Sequence, residues 1–97
     1  MGIVIGIDVG GSTTKIVGIN GEQIQSPMFI TATDPVTSLF GAFGKYIYDN
    51  GIQLADVEQV MLTGVGSAFV NSPLYGLPTR KTMSLLPMVW EPDMQRI

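Results

Sequence analysis

Two short β-branched runs, Ile3-Val4-Ile5-Gly6-Ile7 and Lys15-Ile16-Val17-Gly18-Ile19, flank the segment Asp8-Val9-Gly10-Gly11-Ser12-Thr13-Thr14, and this pairing constrains the chain more than any other feature. Asp8 stops the first run and Asn20-Gly21 the second, so both runs are expected to be strands. The connection between them is too glycine-rich to be a mere link. Without side chains at Gly10 and Gly11 the backbone can approach a phosphate closely, and its N–H groups can donate to oxygen together with the hydroxyls of Ser12, Thr13 and Thr14. Asp8, at the end of a buried strand, is placed to hold a hydrated magnesium ion, and Lys15 to offset phosphate charge. The competing reading is an ordinary hairpin turn with a solvated Asp and Thr. The residue types favour phosphate.

Two other phosphate loops are set aside. Gly6 to Lys15 does not fit G-x-x-x-x-G-K-[ST], and Gly64-Val65-Gly66 lacks a third glycine at Phe69.

The Asn20-Gly21 turn predicts that Glu22 to Phe29 returns as a third antiparallel strand, with Pro27 marking an edge or a bulge. Asp34-Pro35 reads as an N-cap and a first-turn proline, and Val36, Leu39, Phe40, Phe43 and Ile47 repeat at helical spacing until Gly51 stops them. Tyr46 and Tyr48 on that helix read as packing and rim. Val60-Met61-Leu62 reads as a brief buried strand ending at Thr63-Gly64, followed by a short helix or turn. The strand-end loop Thr63-Gly64-Val65-Gly66 either faces a ligand or is a tight turn with Ser67 as the next N-cap. Arg80 and Lys81 either reach an acidic substrate or are simply solvated. The order is β-β-β-α-β, an α/β class.

At 97 residues the chain holds at most one small domain or a piece of a larger one. Apolar residues at 45% and charged ones at 13% exclude a disordered tail, and a net charge of −3 without a basic run argues against nucleic acid and anionic membranes. The absence of cysteine and histidine removes disulfides, thiol nucleophiles, the usual zinc sites and histidine-dependent triads. No apolar run approaches the length of a membrane span, so a cytoplasmic location is expected.

The stretch Ile5-Gly6-Ile7-Asp8-Val9-Gly10-Gly11-Ser12-Thr13-Thr14-Lys15 resembles the first phosphate motif of the actin, Hsp70 and sugar-kinase superfamily, where two strands and their turn hold the β- and γ-phosphates of ATP. Together with Leu62-Thr63-Gly64-Val65-Gly66-Ser67 after a single helix, it most resembles bacterial type II pantothenate kinases, over about residues 3–81. The resemblance implies the N-terminal part of a ribonuclease-H-like, actin-like ATPase lobe, ATP with magnesium, phosphoryl transfer to the terminal hydroxyl of pantothenate, and a homodimer. In it the Thr63–Gly66 loop would face the transferred phosphoryl group or the substrate. The ATPase activators of 2-hydroxyacyl-CoA dehydratases begin with a similar stretch and form the alternative. A non-catalytic phosphate-binding fragment is a third reading.

Residues 82–97 break the composition, with three methionines, the tryptophan and two prolines but no glycine, and they do not resemble the kinase family. Read from the third base of each codon, Met88-Val89 and Trp90-Glu91 each encode Gly and Met94-Gln95 encodes Ala. The shifted peptide can read Asp-Glu-Phe-x-Ala-Asn-Gly-Leu-Gly-Ala-Arg-His-Ala, which resembles the missing kinase segment. The expectation is a frame shift near Lys81, with residues 1–81 as the lobe and 82–97 as an out-of-frame tail. The glutamate of the shifted peptide corresponds to the family's general base, so the 97-residue chain is expected to be inactive as a kinase.

Overall fold

The computed structural model describes residues 2–82 apart from 22, 25, 26, 32, 33 and 72. The two β-branched runs form β1 (Ile3–Val9) and β2 (Thr13–Asn20), antiparallel from Ile3 opposite Asn20 to Val9 opposite Thr14. Asp8 does not stop β1, which continues to Val9, and the Gly10 N–H closes the turn by donating to the Thr13 carbonyl at 2.9 Å. The connection is therefore tighter than the sequence suggests.

The expected third strand is present in two pieces, β3 (Gln23–Ile24) and β4 (Met28–Thr31), both antiparallel to β2. Their registers against β2 differ by one residue, the displacement that a bulge introduces. Pro27, which has no N–H for a ladder, precedes β4. Asn20 pairs with Gln23 while Gly21 takes φ 65°, so Asn20 closes the strand instead of sharing the turn. No described residue of β3 or β4 pairs with Val17 or Gly18. The Gly18 N–H donates instead to the Tyr46 hydroxyl at 2.8 Å.

Helix α1 (Pro35–Asp49) starts as its sequence predicts, with proline in the first turn and the Asp34 carboxylate accepting from the Thr37 N–H at 2.8 Å and the Thr37 hydroxyl at 2.7 Å. These bonds, the hydroxyl's first, hold the Asp34 carboxyl below the usual carboxylate range. The buried face differs from the expected one. Ser38, Leu39, Ala42, Phe43 and Tyr46 are buried, while Val36 and Phe40 are each 38% exposed. Small side chains at Ser38 and Ala42 let the helix lie close to the sheet, and the Ser38 hydroxyl donates to Thr14 Oγ1 at 2.6 Å, which removes the cost of burying it. Tyr46 packs as expected, but Tyr48 is no rim residue, being 84% exposed.

After the helix, β5 (Val57–Thr63) is longer than the Val60–Leu62 run and pairs parallel with β1. A further strand absent from the sequence reading, β6 (Thr79–Lys81), pairs parallel with β5. The sheet order is β3-β2-β1-β5-β6, with β4 also beside β2. Ile5, Ile7, Ile16, Leu39, Phe43 and Leu62 are all fully buried in the core between sheet and helix. The Thr82 N–H extends the β5–β6 pairing by donating to the Leu62 carbonyl at 2.8 Å. Residues 83–97, and with them the frame-shift reading, lie outside the described residues. Among the described residues no helix is long and apolar enough to cross a membrane.

Candidate phosphate-binding site

Side chains alternate along a strand. Ile5, Ile7 and Val9 of β1 enter the core beneath α1, which sends Asp8 out on the opposite face. Lys15 of β2 and Thr63 of β5 stand directly opposite Asp8 on its two sides, and Phe29 of β4 stands opposite Lys15. The pairings thus set Phe29, Lys15, Asp8 and Thr63 in one row across four strands. Asp8 is half-buried, Lys15 exposed and Thr63 buried. Among the described residues the one ion pair is Lys45–Asp49 at 3.0 Å, so Asp8 and Lys15 are neighbours without being an ion pair. The described hydrogen bonds likewise engage neither the Asp8 carboxylate nor the Thr63 hydroxyl.

Beside this row the β1–β2 turn and its flanks form an open cavity of about 250 Å³ lined by Asp8, Gly10, Thr13, Lys15 and Phe29. A β-carbon at Gly10 would lie 2.7 Å from the Thr13 carbonyl oxygen, so the turn closes only with glycine there. Gly11 has open space around its Cα, and Gly11, Ser12 and Thr13 are all exposed to solvent. Thr14 departs from the expected set of phosphate donors. Its side chain is fully buried on the helix side of the sheet, with its hydroxyl held by Ser38. Strand alternation alone accounts for this, because Thr13 and Lys15 take the outer face and Thr14 must take the inner one.

The second motif packs against the first. Gly64, at φ 94°, has no room for a β-carbon, which would run into the Val9 carbonyl oxygen and lie 2.5 Å from Asp8 Oδ1. A β-carbon at Gly66 would lie 2.7 Å from the Gly10 carbonyl oxygen. Ser67 is not an N-cap; Gly64 occupies that place for a 3₁₀ turn, Val65–Phe69, and accepts the Ser67 hydroxyl at 2.7 Å on its carbonyl. Arg80 is exposed on β6 opposite Met61, on the face of Asp8 but two strands away, and it does not line the cavity. Phe29 is the lining residue that sequence reasoning missed. Its signal was the strand register, which puts it opposite Lys15 once β4 is aligned with β2.

No group of three or more His, Cys, Asp or Glu side chains that could hold a metal ion occurs among the described residues. A cage made by protein alone therefore does not fit. One free carboxylate beside a glycine turn does fit magnesium, which is commonly carried by one or two carboxylates, waters and substrate phosphates.

An antiparallel hairpin with a glycine-rich turn, then a helix and a strand parallel to the first, is the mixed α/β arrangement of the actin-like ATPase fold, and solved structures of that fold match the chain. The activator of 2-hydroxyisocaproyl-CoA dehydratase from Clostridium difficile, solved with bound ADPNP, is 23% identical at a TM-score of 0.58, over 84% of this chain and 29% of that one. Component A of (R)-2-hydroxyglutaryl-CoA dehydratase from Acidaminococcus fermentans is 18% identical at a TM-score of 0.61, over 86% of this chain and 31% of that one. YeaZ from Pseudomonas aeruginosa is 10% identical at a TM-score of 0.65, over 88% of this chain and 45% of that one. The chain thus spans less than half the length of each of these relatives. No family model and no curated protein matches it.

Proposed function

We propose that Asp8, Gly10, Thr13 and Lys15 bind the β- and γ-phosphates of ATP, and that the chain supplies this half of the site to a protein that hydrolyses ATP or transfers its phosphoryl group. The convergence of these four side chains and backbone positions on one cavity, with the Thr63–Gly66 loop packed against it, carries the reading. Lys15 sets a positive charge beside the phosphate oxygens, and the exposed Gly11-Ser12-Thr13 segment offers N–H and hydroxyl donors. Asp8 would hold a hydrated magnesium ion through its waters and so fix where that charge sits. Bound magnesium supplies neutralisation of the charge on the transferring phosphoryl group. Because phosphoryl transfer depends on positioning and charge stabilisation, both residues would act on the bound phosphates and again on the transition state.

Two whole-protein activities follow. An ATPase of the dehydratase-activator type is supported by two of the structural relatives, one of them carrying an ATP analogue. A pantothenate kinase, homodimeric and cytoplasmic, is supported by the resemblance of Leu62-Thr63-Gly64-Val65-Gly66-Ser67 and by the shifted-frame peptide. Titration of the chain with ADPNP, with and without magnesium, tests the shared part. Binding that needs magnesium and is lost in Asp8→Ala supports it, and magnesium-independent binding unaffected by Asp8→Ala overturns it. Restoring one nucleotide near the Lys81 codon then separates the activities, since pantothenate-dependent ADP release supports only the kinase, and ADP release indifferent to pantothenate supports only the ATPase.

A further inference from the structure

We infer that Phe29 is a positioning residue for Lys15, which it holds over the phosphate cavity; the inference rests on the phosphate reading above. Strand β4 alternates, with Met28 and Ile30 packed against the core and Phe29 on the outer face. There the ring is 64% exposed on a strand at the edge of the sheet, where an apolar side chain gains little from burial. Its place is explained by its neighbours. Lys15 is its cross-strand partner, and both line the cavity with Asp8. Directly opposed side chains across an antiparallel pair have β-carbons about 4.5–5.5 Å apart, close enough for a ring to cover the methylene stem of a lysine.

Lys15 stands between Phe29 and Asp8 in the row. An unrestrained lysine ammonium beside a carboxylate can swing onto it, which would cancel the two charges that phosphate and magnesium each need. Lysine has a flexible stem and much rotamer freedom. A ring covering that stem on the side away from Asp8 narrows the freedom and keeps the ammonium over the cavity, consistent with the absence of an Asp8–Lys15 ion pair among the described residues. The ligand is the phosphate chain itself, so the effect should not depend on the base or sugar of a nucleotide.

The test is a titration of the 97-residue chain with magnesium tripolyphosphate, followed by phosphorus NMR, for the parent, Phe29→Ala, Phe29→Leu, Lys15→Met, Asp8→Ala and the Phe29→Ala/Lys15→Met double variant. Phe29→Ala should weaken binding roughly three- to fivefold, the affinity equivalent of one good cross-strand pair, and Phe29→Leu, which still covers the stem, should stay within about twofold of the parent. In the Lys15→Met background Phe29→Ala should change nothing, a coupling that a purely structural role of the ring would not produce. Equal weakening by Phe29→Ala in both backgrounds, or none in the parent when Lys15→Met does weaken binding, overturns the inference and leaves the phosphate reading standing. If neither Lys15→Met nor Asp8→Ala alters the affinity, the phosphate reading fails and this inference with it.

Discussion

Gly64 has no β-carbon because one there would stand 2.5 Å from Asp8 Oδ1. The strand-end loop and the carboxylate are fitted to each other, and at φ 94° the backbone of Gly64 is also one that other residues rarely adopt. Gly64→Ala is expected to cost about 1–3 kcal/mol of stability and to displace Asp8, weakening magnesium-dependent ADPNP binding. Gly21→Ala is the control, since Gly21 shares the positive φ, at 65°, but has open space around it. Thermal unfolding and titration of both variants should show stability lost in each and affinity lost only at Gly64.

The Asp8 carboxylate takes part in no described hydrogen bond, so its removal should leave folding almost unchanged. In the frame-restored protein, Asp8→Ala should lower kcat by roughly a hundredfold or more through loss of metal positioning, with thermal unfolding close to the parent's. Near-normal turnover by a folded Asp8→Ala protein would refute the assignment.

Tyr46 offers its hydroxyl oxygen to the Gly18 N–H at a point where the outer edge of β2 has no described strand partner. Tyr46→Phe leaves that buried donor unpaired, at an expected cost of about 1–3 kcal/mol at neutral pH. Burial pushes the Tyr46 hydroxyl above the ordinary tyrosine range, so the unfolded chain releases this proton first as pH rises. The stabilising contribution is intact below the unfolded value of about 10 and is lost as pH climbs through the higher native one. Denaturant unfolding of parent and variant across alkaline pH should show the difference between them shrinking.

The opposite sign holds at Asp34, whose carboxyl is lowered by the Thr37 hydroxyl and N–H. Its contribution is present above the unfolded value of about 4 and fades as pH falls through the lower native one. Asp34→Ala should therefore melt below the parent at neutral pH and approach it in acid. Asp34→Asn should keep a cap at both, since an uncharged amide oxygen still accepts from the Thr37 N–H.

The glycine turn was legible because its residue types stand at close spacing, with Asp8, two glycines, hydroxyls and Lys15 between two β-branched runs. Thr14 was misjudged because composition does not say which face of a strand a hydroxyl takes, whereas pairing does. The helix face was displaced because Ser38 and Ala42 carry too little apolar surface to register in a periodicity count, yet they sit where the helix approaches the sheet. Thr79-Arg80-Lys81 has no strand pattern of its own, and only the edge of β5 makes it one. Val60-Met61-Leu62 is buried as its sequence suggests, with β1 and β6 on its two sides and Val60 and Leu62 fully enclosed.

Asp8 is held by one partner near in sequence, Lys15 in its own hairpin, and by one far away, Thr63, across the whole of α1 and its connections. Closing the hairpin is a local event on the microsecond scale, while docking β5 must first overcome the entropy of a long loop. The chain is therefore expected to fold in an order: the glycine turn forms early and empty, and the wall made by Gly64 and Gly66 arrives with the last long-range pairing. Mutations along β5 should accordingly change the unfolding rate more than mutations in the hairpin do, a partition that chevron kinetics would read directly. A phosphate chain would then meet its full site only after the last slow step, so its binding would hold the folded state together without hastening its formation.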